Sequence, residues 1–166
     1  MSTTTTKNTA VVTLQGDNDL IITREFNAPK RLVWRVLTEP ELIRKWWHAN
    51  RGEVTVCDVD FRVGGRWRYV SVTPDGFEVA FSGEYREIVP GERVVHTELY
   101  EGIPDASDAD AAVNTVTLVE HDGRTTMTVH VHMAQPEHRT AMIESGMEAG
   151  MQDAYNLLEE LAAGLR

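Results

Sequence analysis

The chain has 166 residues, of which 42% are hydrophobic, and this length and composition suit one globular domain with its own core. Its net charge of −10 disfavours nucleic acid as a partner, because an acidic surface repels a phosphate backbone. The single cysteine excludes an intramolecular disulfide, which is typical of the reducing cytoplasm. No apolar run reaches the ~20 residues of a membrane span, so we expect a cytoplasmic protein that binds a small molecule or another protein.

The N-terminal segment, residues 1–9, is polar and rich in threonine, and it predicts a disordered tail ahead of one domain over residues 10–166. Residues 10–26 predict either one extended strand or a bent pair of strands, because the apolar run LII is followed by Thr23, Glu25 and Phe26.

Three of the four tryptophans fall in the next segment, FNAPKRLVWRVLTEPELIRKWW, residues 26–47. Pro29 suits the first turn of a helix, and Pro40 both ends that helix and begins a second one. The two short helices need a surface to pack against, since neither is long enough to persist alone. We expect the tryptophans to anchor them.

Six further segments predict the strands of an antiparallel sheet. They are 53–61, 66–73, 77–89, 92–101, 113–121 and 125–133, and most are separated by turn residues such as Pro74-Asp75-Gly76 and Asp122-Gly123. The acidic residues 102–112 predict a loop. Cys57, in the alternating stretch EVTVCDVDF beside acidic residues, predicts a structural thiol rather than a nucleophile.

The C-terminal segment from Glu137 to Ala163 changes to a helical period. Its predicted buried stripe comprises Ile143, Met147, Met151, Ala154, Leu158, Leu161 and Leu165. Gly146 and Gly150 interrupt it, each at a cost of about 1 kcal/mol relative to alanine. Three explanations stay open for them besides simple tolerance: close approach of the sheet, a bend, or room for a ligand.

The chain resembles the helix-grip superfamily (START-like, SRPBCC) and, within it, the bacterial branch of the homologues of the activator of heat-shock protein 90 ATPase. The resemblance rests on FNAPKRLVWRVLTEPELIRKWW, DFRVGGRWRY, PDG, GEYREIVPGERVVHTE, VTLVE and ESGMEAGMQDAYNLLEELA, in the family's order. It implies an α+β fold in which a curved seven-stranded antiparallel sheet grips a long C-terminal helix, with two short helices after the first strand. It also implies a cavity between the sheet and that helix.

Alternation along the strands and helix predicts which side chains face this cavity. Aromatic and methionine side chains together make an adaptable apolar pocket, which predicts a small hydrophobic or aromatic ligand. The candidate ligand-binding residues are Trp46, Trp47, Trp67, Tyr69, Phe81, Tyr85, Met127, Met147, Met151 and Tyr155. The alternative is a solid, packed core.

Two pairs of residues are candidates for chemistry beyond binding, one pair catalytic and one metal-ligating. His96 and Glu98 share a strand face and are candidate acid and base of a cyclase- or hydrolase-type enzyme using the same cavity. The alternative for them is a structural role. His130 and His132 lie on the strand face opposite to Met127 and Val129, and we expect that face to be exposed to solvent. We therefore predict no metal site and no cofactor.

The favoured hypothesis is therefore a binder of a small apolar or aromatic molecule. A protein-binding module that associates with a chaperone, as the family's name suggests, is a third alternative, and it requires an exposed apolar patch. A homodimer is compatible with the sequence, which does not specify an oligomeric state.

Overall fold

An antiparallel sheet of eight strands forms the frame of the molecule in a computed structural model that describes residues 9–49 and 51–166. The strands are β1 (Val11–Gln15), β2 (Asp19–Phe26), β3 (Glu53–Val59), β4 (Arg66–Val72), β5 (Glu78–Val89), β6 (Arg93–Tyr100), β7 (Ala112–His121) and β8 (Arg124–His132). Their order across the sheet is β1-β2-β8-β7-β6-β5-β4-β3. The α+β helix-grip architecture expected from the sequence is confirmed, with eight strands instead of seven.

The additional strand comes from the N-terminal segment, which forms a hairpin rather than one long strand. Val11 pairs with Thr23 and Gln15 with Asp19, and Gly16 in the turn has a φ of +56°. The two short helices consequently follow the second strand. The tail predicted for residues 1–9 lies, apart from Thr9, outside the described residues.

Helix α1 (Lys30–Thr38) begins after Pro29 and ends before Pro40, and helix α2 (Pro40–Trp46) begins at Pro40, as the two prolines predict. α1 buries Leu32, Val33 and Val36 and packs against the last helix. α2 buries Ile43 and contacts both that helix and β3. The helices therefore close one end of the space between the sheet and the C-terminal helix.

The predicted long C-terminal helix is two helices, α3 (Pro136–Glu144) and α4 (Met147–Gly164). The break lies at Gly146, whose φ of +79° is left-handed and ends the first helix. The prediction of one continuous buried stripe was wrong at its start, because Ile143 on α3 is 43% exposed and α3 buries no residue. On α4 the stripe is present, with Ala154, Leu158 and Ala162 buried.

The main core lies between α1, α4 and the inner face of β2, β7 and β8. Its buried members include Leu20, Phe26, Leu118, Met127 and Leu158. Two smaller clusters lie under β3 to β6, around Ile43 and around Trp67. In the described part of the chain, no helix has the length and apolar character needed to cross a membrane.

Local irregularities bend the sheet where it passes the smaller clusters. The β5–β6 ladder shifts register between Tyr85 and Glu87, and the β3–β4 ladder shifts between Val54 and Val56. Bulges of this kind increase the local twist and bend of a strand. Asp122 and Gly123 both have positive φ in the β7–β8 turn, as their type of hairpin requires.

Candidate ligand-binding cavity

A cavity of about 590 Å³ lies between the inner face of the sheet and α4, with α1 and α2 at one end. All ten residues predicted to contact a ligand border it: Trp46, Trp47, Trp67, Tyr69, Phe81, Tyr85, Met127, Met147, Met151 and Tyr155. His96 and Glu98 border it as well. Alternation along the strands directs five of the ten, Trp67, Tyr69, Phe81, Tyr85 and Met127, to the cavity face.

Aromatic rings form the wall made by β4, β5 and α2. The ring centroids of Trp67 and Tyr69 are 4.6 Å apart, and those of Trp47 and Tyr69 are 5.4 Å apart in an edge-to-face arrangement. Trp47 also contacts Phe81 at 5.7 Å. Edge-to-face contacts of this kind fix the ring positions beyond what burial alone achieves. The wall is consequently a set of rings that hold one another in place.

Trp46 is fixed differently, by a hydrogen bond from its Nε1 to the carbonyl oxygen of Val36 at 2.8 Å. This bond ties α2 to α1 and satisfies the polar atom of the indole, so that its ring is free to border the cavity. The two adjacent tryptophans thus have distinct roles, since Trp47 joins the aromatic wall and Trp46 joins the helices.

The opposite wall consists mainly of methionine side chains, which are flexible. Met127 on β8 is 1% exposed, and Met147, Met151 and Tyr155 approach it from α4. Tyr155 also packs edge-on against Phe26, with ring centroids 6.1 Å apart. Methionine adapts its shape more readily than branched side chains, so this wall can adjust to different ligand outlines.

A polar cluster lies on the inner face of β6 and β7. Asn114 Nδ2 donates a hydrogen bond to Glu98 Oε2 at 2.9 Å, and His96 Nδ1 lies 3.1 Å from the carbonyl oxygen of Thr97. Because a carbonyl oxygen only accepts, His96 Nδ1 carries the proton in that contact. Burial lowers the pKa of His96 below its ordinary value, against the opposing field of Glu98, so the imidazole is neutral at pH 7.

Three tyrosines bring hydroxyl groups to the cavity. Burial raises the pKa of Tyr69 and of Tyr155, and the charge of Glu98 adds to the increase at both. Burial raises the pKa of Tyr85 to about 12, although Tyr69 opposes the increase through a hydrogen bond. All three hydroxyls therefore stay protonated at neutral pH. Because Tyr69 and Tyr85 share a hydrogen bond, one of these two donates to the other, which leaves Tyr155 and one hydroxyl of the pair to donate to a ligand.

Exposed residues that border the cavity, Arg51, Ser145 and Gly146, lie after α2 and before α4, and we infer that the cavity opens there. Arg51 Nη2 forms a 3.0 Å ion pair with Asp153 Oδ2 across this opening, and both side chains are about half exposed. Gly150, which also borders the cavity, faces Arg51: a Cβ placed there would lie 3.7 Å from Arg51 Nε and touch nothing else. The two glycines thus have different explanations. Gly146 forms a bend, and Gly150 leaves space at the opening.

Many residues that border the cavity were not among the predicted ligand contacts, and Asn114, Trp34 and Phe61 are three of them. Asn114 shares a face with Val116 and Leu118 in the stretch VNTVTLVEH, so a polar residue on an apolar face was the available signal. Trp34 and Phe61 contact each other at 5.8 Å and also border the cavity. Their position depends on how α1 meets the end of β3, which no local pattern specifies.

Other candidate groups lie outside the cavity. His130 Nε2 and His132 Nδ1 both bind the Asp19 carboxylate, at 2.7 and 2.6 Å, on the outer face of the sheet. The hydrogen bond from His130 is the main cause that lowers the pKa of Asp19. Among the described residues, no group of three or more possible metal ligands comes together. Cys57 is buried, and burial raises the pKa of its thiol, which is typical of a structural residue.

The family model described as activator of Hsp90 ATPase homolog 1-like protein matches residues 27–163. The chain belongs to this family. The activator-homologue match spans α1, the sheet from β3 onward and nearly all of α4, which are the elements that enclose the cavity.

Solved structures of bacterial proteins share the fold over almost their whole length. A protein from Rhodobacter sphaeroides is 28% identical, with a TM-score of 0.84 over 95% of this chain and 99% of that one. Protein Ms6760 from Mycobacterium smegmatis is 28% identical, with a TM-score of 0.81 over 93% and 96%. Protein NE0264 from Nitrosomonas europaea is 29% identical, with a TM-score of 0.77 over 91% and 97%.

No curated protein sequence shows significant similarity to the chain. Membership of the activator-homologue family therefore establishes the fold, while a fold of this kind does not specify an activity.

Proposed function

We propose that this protein binds a small apolar or aromatic molecule in the cavity between the sheet and α4. The observation that carries the proposal is the size and lining of that space. Its 590 Å³ falls within the roughly 300–1,000 Å³ of small-molecule sites, and its walls are rings and methionines with a few polar groups. A packed core of the same residues would leave no such volume.

Burial of the ligand's apolar surface would drive binding. A two-ring aromatic body of about 200 Å² gains about 5 kcal/mol before the costs of association. The aromatic wall around Trp47 and Tyr69 suits a flat ring system, and the methionine wall accommodates its edges. Tyr69, Tyr85, His96 and Glu98 would orient the ligand through hydrogen bonds.

The catalytic alternative requires His96 and Glu98 to pass a proton between them or to a shared substrate. Both residues are described, and no hydrogen bond joins their side chains: His96 is bound to the Thr97 carbonyl and Glu98 to Asn114. Binding is therefore the function that this geometry supports best. The cytoplasmic location and a chaperone partner stay predictions from the sequence.

A neutral fluorescent probe tests the proposal. N-phenyl-1-naphthylamine, whose emission rises in apolar surroundings, is titrated into the wild-type protein and into Gly150→Leu. A leucine at this position enters the opening of the cavity, where only the Arg51 side chain is close. We expect saturable binding to the wild type and about tenfold weaker binding to the variant, a loss of about 1.4 kcal/mol.

Gly164→Leu is the matched control. It makes the same change on the same helix, at a position where an added Cβ meets nothing within 4 Å and which does not border the cavity. Its affinity for the probe should equal that of the wild type. Absence of saturable emission, or equal affinities in all three proteins, would refute the proposal. Native mass spectrometry of the purified protein would then identify any ligand retained from the cell.

A further inference from the structure

The polar cluster on the inner face of β6 and β7 presents three hydrogen-bond acceptors to the cavity, one each from His96, Glu98 and Asn114. His96 and Asn114 are directly opposite in the β6–β7 ladder, and Glu98 lies two residues along the same strand face as His96. All three border the cavity. The three side chains are therefore neighbours on one patch of its wall.

Each of the three retains an acceptor atom that receives no hydrogen bond from the described residues. Asn114 is 6% exposed, and since its Nδ2 donates to Glu98, its Oδ1 is left buried and unpartnered. His96 holds its proton on Nδ1, which leaves Nε2 as an acceptor. Glu98 uses Oε2 in the bond from Asn114, so Oε1 is available. Leaving a buried acceptor unsatisfied costs about 1–3 kcal/mol, which a ligand donor would recover.

The patch also carries a negative charge that the described residues do not neutralise. No lysine or arginine of the described chain lies within ion-pair distance of Glu98, and the neighbouring His96 is neutral. The basic residue bordering the cavity, Arg51, lies at the opening and is paired with Asp153. A carboxylate inside a largely apolar space is stabilised by a cation of opposite charge.

Aromatic rings surround this carboxylate patch. Trp67 lies 5.6 Å from the His96 ring, edge to face, and Tyr85 lies 6.4 Å from it. Tyr155 and Tyr69 also lie near Glu98, because its negative charge contributes to the raised pKa of both hydroxyls. Ring faces attract cations, most strongly where water is excluded. A carboxylate, two neutral acceptors and several rings together match an organic ammonium group and repel an organic anion.

We infer that the cavity selects protonated amines: the ligand has an apolar or aromatic body and an ammonium group that donates to Glu98, His96 and Asn114. This inference rests on the proposed function, because it names the chemical class that the same cavity takes. The three acceptors match the three N–H donors of a primary ammonium group in number. A neutral hydroxyl can satisfy only part of the patch, and a carboxylate none of it.

Three probes that share one ring system and differ only in the polar group test the inference by isothermal titration calorimetry at pH 7. They are 2-naphthylmethylamine, 2-naphthylmethanol and 2-naphthoate. For the wild-type protein we expect the amine to bind about tenfold or more tightly than the alcohol, and the carboxylate to bind most weakly.

Glu98→Gln removes the charge while keeping the shape of the side chain. We expect the preference for the amine over the alcohol to fall to about onefold to twofold, because only neutral acceptors are left. Alcohol binding should fall by less than amine binding, because the hydroxyl loses only a stronger acceptor whereas the ammonium group also loses its counter-charge. Glu53→Gln is the matched control: it removes the same charge from an exposed position on β3 outside the cavity, and it should keep the wild-type order.

The outcomes separate this inference from the function on which it rests. If the alcohol binds as tightly as the amine, or the carboxylate binds best, the preference for amines is refuted while a cavity for aromatic molecules stands. If no naphthyl probe binds and N-phenyl-1-naphthylamine also fails, both proposals fall. The wild-type series decides the charge preference by itself, so the inference stays testable should Glu98→Gln not fold.

Discussion

The fully buried guanidinium of Arg24 on β2 and the carboxylate of Glu159 on α4 form a 2.9 Å ion pair that joins the sheet to the last helix. Asn156 also accepts a hydrogen bond from Arg24 Nη2, at 3.3 Å, and the ring of Phe26 lies 4.8 Å from the guanidinium carbon. Among the described residues, Arg24 Nε and Nη1 have no hydrogen-bond partner. The position of α4 above the cavity therefore depends on a charge that its surroundings only partly satisfy.

Glu159→Gln should destabilise the protein by about 3 kcal/mol, because it leaves the buried guanidinium without its counter-charge. Urea unfolding followed by tryptophan fluorescence measures this change. Glu160→Gln, on the exposed side of the same helix, is the matched control and should change stability by less than about 0.5 kcal/mol.

Arg24→Met completes the test, since it removes the buried charge itself. Added to Glu159→Gln, it should recover part of the lost stability, because an apolar side chain needs no counter-charge. If the double variant is less stable than Glu159→Gln by the full cost of Arg24→Met alone, the two side chains do not interact and the ion pair has no role in holding α4.

Gly83 on β5 makes room for the aromatic wall and for the β6 backbone. A Cβ at this position would lie 1.9 Å from the carbonyl oxygen of Thr97 and 2.7 Å from Trp67 Nε1. Gly83→Ala should therefore cost at least about 2 kcal/mol in unfolding free energy, because backbone atoms have to move. Gly164→Ala, which meets no atom within 4 Å, is the control and should not destabilise. An unchanged unfolding midpoint for Gly83→Ala would show that the strands are further apart there.

The start of α1, the junction between α1 and α2, and the β7–β8 turn were predictable because one or two restrictive residues determine each of them. Pro29 and Pro40 restrict the backbone at the helix starts, and Asp122-Gly123 supplies the two positive φ angles of a tight hairpin turn. The inner faces of the strands followed from alternation with period two. These features are local, so the sequence alone contains enough information to predict them.

The features that were mispredicted or missed depend on contacts between distant segments. Gly146 and Gly150 occupy equivalent positions in the helical pattern, yet only Gly146 adopts a positive φ. Asn114 became part of the polar cluster only through its register with His96. Neither the helix break nor that pairing leaves a periodic signal, so the sequence predicted the cavity wall more completely than its polar patch.

The same two glycines give a prediction about the helix break. Gly146→Ala should destabilise the protein by about 1 kcal/mol, because a left-handed backbone strains a side chain even where space is free. Gly150→Ala should instead stabilise it by up to about 1 kcal/mol, since Gly150 is helical and alanine favours a helix. Thermal unfolding of the two variants measures both effects. Shifts of the same sign would contradict a break confined to Gly146.

His96 predicts how stability depends on pH. Burial lowers its pKa in the folded protein below the ordinary value of 6.5, so the unfolded chain takes up a proton more readily. The stabilisation from keeping the imidazole neutral is present above pH 6.5 and is lost as the pH falls toward the lowered pKa. Unfolding free energies measured between pH 8 and pH 5 should therefore decrease with acidification.

His96→Gln isolates this contribution, because it keeps a polar side chain that does not titrate. The wild type should lose more stability than the variant between pH 7 and pH 5, whereas Asp19, whose pKa lies below 3.8, titrates outside this range in both proteins. NMR titration of the imidazole carbon-bound protons measures the pKa of His96 directly. Parallel stability curves, or a His96 pKa above 6.5, would mean that the imidazole is exposed to water or pairs with Glu98 as an imidazolium, and the acceptor patch would then lose one of its three members.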